Sequence, residues 1–145
     1  MSTISATMTH DHRRCDEIFA AAENETAKGN WEVAATQFEA FHSAMEHHFK
    51  MEEEVLFPAF EEVTGMAMGP TVVMRGEHAQ MRDLFQEMTE SVEAKDQDRY
   101  LGLSDTLLVV MQQHNAKEEQ MLYQMSDQVL GGQASELLSR MEAID

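Results

Sequence analysis

Along four stretches of this 145-residue chain, apolar side chains recur at alternating steps of four and three residues, the spacing of a buried stripe on an α-helix. The first stretch runs Met8, His12, Cys15, Phe19, Ala22, and the second Ala34, Phe38, Phe41, Met45, His48, Glu52, Val55, Ala59. The third is Met74, His78, Met81, Phe85, Met88, Val92, and the fourth Leu107, Met111, His114, Glu118, Met121, Met125. None of them shows the period of two that a strand requires. The chain is therefore predicted to be all-α, with four helices turning their stripes together as a bundle. Those stripes are interrupted by four histidines and two glutamates, and the same spacing predicts that all six point into the core.

Break signals agree with four helices. They cluster at Lys28-Gly29-Asn30, at Thr64 to Pro70, at Lys95 to Asp98 and at Gly131-Gly132, after which a short C-terminal helix remains. Gly29 suits a helix C-terminus, Asn30 an N-cap and Pro70 a first helical turn. Pro58 lies inside the second stretch and is expected to kink or end that helix near Phe57. The length fits one domain spanning residues 1–145.

The two halves of the chain repeat. His12 and His48 stand 36 positions apart, as do His78 and His114, and a shift of 66 carries His12 to His78, His48 to His114 and Glu52 to Glu118. The neighbours follow. Asp11-His12-x-x-Cys15-x-x-Ile18-Phe19 matches Glu77-His78-x-x-Met81-x-x-Leu84-Phe85, and His48-x-x-x-Glu52-Glu53-x-x-Leu56-Phe57 matches His114-x-x-x-Glu118-Glu119-x-x-Leu122-Tyr123. The midpoints of the two histidine pairs are Asn30 and Asp96, both in predicted turns. In an antiparallel hairpin, residues equidistant from the turn share a height, so His12 should face His48 and His78 should face His114. Each glutamate lies one turn further, about 6 Å along its helix.

A buried carboxylate without a partner costs several kcal/mol or is forced neutral. Two of them, with four imidazoles, would threaten a net stability of only about 5–15 kcal/mol. A metal reverses that balance by supplying the opposing charge. His and Glu four residues apart project from one helix face, and two carboxylates from facing helices can bridge two cations, with two histidines capping each. Mixed imidazole and carboxylate donors suit iron, and also manganese or zinc; one cysteine supplies no thiolate set.

Outside the stripes, His10, His42 and His47 read as surface or supporting residues. Glu53, Glu54, Glu61 and Glu62 read as a solvated acidic face, Cys15 as a small core residue whose thiol would matter beside a metal, and Tyr123 as a packing residue, with a donor beside the site as the alternative. The methionines spread over whole helices and read as gap-filling core. A net charge of -17 repels nucleic acid and anionic lipid. The first residues lack a basic region followed by an apolar run, no stretch approaches transmembrane length, and a single cysteine demands no oxidising compartment, so a cytoplasmic protein is expected.

With these residues in view, the sequence resembles the hemerythrin-like, or HHE cation-binding, family over about residues 8 to 128. Asp11-His12, His48-Phe49-x-x-Glu52-Glu53, Leu56-Phe57-Pro58, Glu77-His78 and His114-x-x-x-Glu118-Glu119 carry the resemblance. It implies an up-down-up-down bundle around a non-haem di-iron site that binds dioxygen or a related small ligand. By the same resemblance, Glu52 and Glu118 would bridge, and His12, His48, His78 and His114 would be terminal ligands. The chain departs from the oxygen-carrying hemerythrins at two points. Arg82 stands where their third helix supplies a fifth histidine, and Glu118 precedes by one residue the position of their fourth-helix carboxylate, held here by Glu119. The four-histidine, two-glutamate set is closer to the iron-sulfur cluster repair proteins and other bacterial HHE domains. The amino-terminal cysteine-bearing domain of the repair proteins has no counterpart in these residues. Such a set makes the two irons nearly equivalent and leaves open positions. The leading expectation is a protein, rather than an enzyme, that binds O2, NO or peroxide for sensing, storage or detoxification. Iron donation to damaged clusters, or a di-iron oxidase activity, is the alternative.

Overall fold

A computed structural model of the chain describes residues 2–145. Helix α1 (Ile4–Ala27) turns back into α2 (Trp31–Met51), and α4 (Pro70–Glu93) turns back into α5 (Gln97–Lys117). Helix α2 runs through one π-helical turn, Glu52–Leu56, into α3 (Phe57–Thr64). Likewise α5 runs through a π-helical turn, Glu118–Leu122, into α6 (Tyr123–Leu130). A 3-10 turn then leads to the short C-terminal helix α7 (Ala134–Glu142). The result is four antiparallel rods closed at one end by α7, as the spacing and the resemblance predict.

The hairpin turns fall where the sequence breaks. Gly29 takes a left-handed φ of 74°, and its repeat counterpart Lys95 takes φ 52°. Asp96 caps α5 by accepting from the backbone N–H of Arg99 at 3.1 Å. Asn30 holds the equivalent place without capping; its side chain donates instead to Glu25.

Pro58 does not end its helix. It falls in the first turn of α3, where its missing N–H costs little. The irregularity lies just before it, in the π turn, and the second half carries the same turn with Gln124 in place of proline. In both, an N–H reaches back five residues, from Phe57 to the Glu52 carbonyl and from Tyr123 to that of Glu118. The added residue advances the buried stripe. Met121, expected inside, is 47% exposed, while Leu122 and Tyr123 are buried.

Two apolar clusters fill the bundle. One gathers Phe19, Phe38, Phe41, Phe85, Tyr100 and Leu107 towards the hairpin turns; the other gathers Ile4, Met8, Leu56, Phe60, Leu130 and Leu137 at the end covered by α7. A polar layer separates them.

Candidate metal centre

The polar layer is made of the six residues that interrupt the helical stripes. His48, Glu52, His78, His114 and Glu118 are at most 1% exposed, and His12 is 4% exposed. The imidazole centroids of His12 and His48 lie 4.6 Å apart, and those of His78 and His114 5.0 Å apart. Each glutamate reaches histidines of both hairpins. Glu118 Oε1 is 3.0 Å from His12 Nε2 and 3.2 Å from His114 Nε2. Glu52 Oε1 is 3.1 Å from His78 Nε2 and 3.5 Å from His48 Nε2. The donor atoms fall into two groups, each with its atoms within 4.8 Å of one another: Glu52, His78, His114 and Glu118, and His12, His48 and Glu118.

The other ring nitrogen of every histidine is engaged from outside. His12 Nδ1 donates to Glu119, His48 Nδ1 to Asp11, His78 Nδ1 to Glu53 and His114 Nδ1 to Glu77, each at 2.7 Å. A carboxylate only accepts, so each Nδ1 carries a proton and the Nε2 lone pair of a neutral ring faces inward. Burial opposes ionisation of Asp11, but the hydrogen bond to His48 and the charge of Arg14 hold its carboxyl down at about 2. Burial likewise opposes ionisation of Glu53, yet His78 and Arg82 hold it at about 2. Glu53 is therefore part of the centre, which corrects its reading as solvated surface. The repeat already carried that signal: each of these four acids adjoins one of the six in the chain, and they pair across the 66-residue shift.

Hydrogen bonding does not account for the inner atoms. Glu52 Oε1, His78 Nε2, His114 Nε2 and Glu118 Oε2 are buried without a hydrogen-bond partner, despite separations near 3 Å. Carboxylate oxygens and inward-facing Nε2 lone pairs are all acceptors, and a shared cation satisfies such a set where mutual hydrogen bonds do not. The residues fit a metal. Without one, the carboxylates draw protons onto the rings. Burial would lower His12 and His114, but the adjacent Glu118 carboxylate and the field of Glu52 raise both to about 9.

Of the two readings of Tyr123, packing or donating beside the site, the structure favours the second, since the π turn brings its hydroxyl into the centre. Its hydroxyl donates to Glu52 Oε2 at 2.7 Å and lies 3.0 Å from Glu118 Oε1, 3.2 Å from His12 Nε2 and 3.3 Å from His48 Nε2. On the other side Phe57, its repeat counterpart, lies over His78 at 5.7 Å, and Phe49 stacks on that ring at 4.0 Å.

The remaining residues support or stand aside. Arg82 bonds Glu53 and Glu46 and lies 5.0 Å over the Phe49 ring, sealing the His78 side. In the other half Asp16, Gln112 and Asn115 replace Arg82, Glu46 and Phe49 and line a groove of about 490 Å³ beside Glu119. Cys15 is buried in the apolar cluster outside both groups of donor atoms, and burial with the nearby Asp11 charge pushes its thiol up to about 12, so it stays a neutral thiol there. His47 bonds the Ile144 carbonyl, His42 packs on Phe38 and Phe85, and His10 is exposed.

A model of the hemerythrin HHE cation binding domain matches residues 3–126 of the chain. No curated protein and no solved structure matches it.

Proposed function

Because the chain belongs to the hemerythrin HHE cation-binding domain family, we propose that His12, His48, Glu52, His78, His114 and Glu118 hold two iron ions. We further propose that the pair binds dioxygen or a small relative such as nitric oxide or peroxide, for sensing, storage or detoxification. The observation that carries this reading is the set of buried acceptor atoms on Glu52, His78, His114 and Glu118 that no hydrogen bond satisfies. Iron bound there would supply a one-electron redox couple and open positions for a small ligand.

The chain's own residues do the rest. Glu52 and Glu118 each face histidines of both hairpins, which is the placement a bridging carboxylate needs. Asp11, Glu53, Glu77 and Glu119 fix the tautomer and ring orientation of the four histidines. The apolar clusters above and below keep bulk water from the layer. Among the described residues no helix is long and apolar enough to cross a membrane. The buried, unpaired Cys15 is in keeping with a cytoplasmic setting.

Titrating the iron-loaded, reduced protein with O2 and separately with NO, followed by visible absorption, tests the proposal. Saturable ligand-dependent bands are expected. A protein that holds its iron and changes its spectrum with neither gas would refute small-ligand binding. Transfer of its iron to a damaged cluster protein would then favour the donating role.

A further inference from the structure

Four donor atoms surround the Tyr123 hydroxyl at 2.7 to 3.3 Å, namely Glu52 Oε2, Glu118 Oε1, His12 Nε2 and His48 Nε2. One hydroxyl proton satisfies one acceptor, and here it goes to Glu52. The contacts left over are to atoms that the proposed function assigns to metal ligation. Ligands about 2.0–2.2 Å from a shared metal and at right angles to one another stand about 3 Å apart. The phenol oxygen keeps that spacing from all four neighbours. It is a member of the cluster rather than a lid over it.

The arrangement is one-sided. Tyr123 lies with its ring centroid 5.5 Å from that of His12, within the His12–His48 pair. The His78–His114 pair has Phe57 at the corresponding place in the repeat, and phenylalanine offers no donor. The near-equivalence expected from two histidines per metal therefore extends no further than the histidine count.

We propose that Tyr123 supplies a further oxygen donor to the metal held by His12 and His48, and to that metal alone, so that the two metal positions are chemically unequal. This rests on the two-iron reading. It adds a ligand that the His/Glu pattern does not contain, one set in place by the π turn after Glu118.

The test is spectroscopic. When ferric iron takes the place of the hydroxyl proton, which leaves by way of the hydrogen-bonded Glu52 to solvent, the bound phenolate gives a visible charge-transfer band and resonance-enhanced tyrosine ring vibrations. The sequence has two tyrosines, and the other, Tyr100, packs on Phe38 in the apolar cluster near the hairpin turns, so the assignment is unambiguous. Wild type and Tyr123→Phe, which removes only the hydroxyl, are loaded with iron, oxidised in air and analysed for metal content and by resonance Raman spectroscopy. The expected result is a full complement of iron in both proteins, with the tyrosine ring modes present in wild type and lost in the variant. Wild-type protein that holds its two irons without those modes overturns the inference on its own. So do modes that persist in Tyr123→Phe. Failure of the wild-type protein to take up two irons would instead refute the two-iron reading on which the inference rests.

Discussion

At the scale of single residues, the proposed metal centre depends on four acids outside the inner six. Asp11, Glu53, Glu77 and Glu119 each hold one Nδ1 at 2.7 Å. Three of them are also paired with a base: Asp11 with Arg14, Glu53 with Arg82 and Glu77 with Lys117. Removing such a partner frees the ring to rotate and to change tautomer, which typically costs 10- to 100-fold, as a rough range, in metal affinity. Glu119→Ala and Glu53→Ala are expected to weaken iron binding by roughly that range while leaving the stoichiometry unchanged, as equilibrium dialysis against a competing chelator would show. Unchanged affinity in both would mean that the outer carboxylates do not position the rings. The six inner residues were legible because their spacing betrays them: a histidine or glutamate on a buried stripe stands out against methionine and phenylalanine. Glu53 was less so, since a charged residue one position off the stripe is usually solvated; its match to Glu119 across the repeat was the only hint, and its contact with His78 shows its place.

At the scale of elements, the sequence predicts the rods and their turns better than what happens inside a rod. Glycine, asparagine and proline mark the turns because few other residues fit them. Lys95 is the exception, a lysine held at φ 52° where the first hairpin has Gly29. Lys95→Gly is expected to stabilise the protein by about 0.5–1 kcal/mol in chemical denaturation, since a side chain in the left-handed region carries a cost that glycine lacks. A loss of stability would show that the flexibility glycine adds to the unfolded chain outweighs that relief. The π turns left no trace in composition. A wide turn of five residues uses the same residues as a regular helix, and Pro58 pointed to a break where the chain only shifts phase. That shift turns Met121 outward and carries Tyr123 into the cluster. The centre thus has a seventh polar group that periodicity cannot foresee. The alignment of Phe57 with Tyr123 in the repeat was the one clue, and it distinguishes the two halves only once the hydroxyl is placed.

At the scale of the whole molecule, protons compete with the proposed metals for one set of atoms. His12 and His114 are raised from an ordinary 6.5 to about 9, so the protonated rings stabilise the chelator-treated fold. That stabilisation is complete below about 6.5 and is lost as the pH rises through 9. Asp11 and Glu53 are depressed to about 2, so their contribution is present above the ordinary carboxylate range and is lost in acid. Thermal melting of chelator-treated protein should therefore peak in mildly acidic solution and decline towards pH 9, whereas iron affinity should rise over the same interval as protons leave the rings. A melting temperature that climbs between neutral pH and 9 would contradict the assignment of raised histidines. Iron binding itself should stabilise the bundle, since the unfolded chain does not bring the six donors together.

The most direct test of the centre is its metal count. Chelator-treated protein titrated with ferrous iron under anaerobic conditions should bind two ions per chain. The count should fall in His78→Ala/His114→Ala, which removes both imidazoles from one position and spares His12 and His48. A wild-type chain that saturates at one ion or none, or a double variant that still binds two, would contradict a two-metal centre built from these six residues.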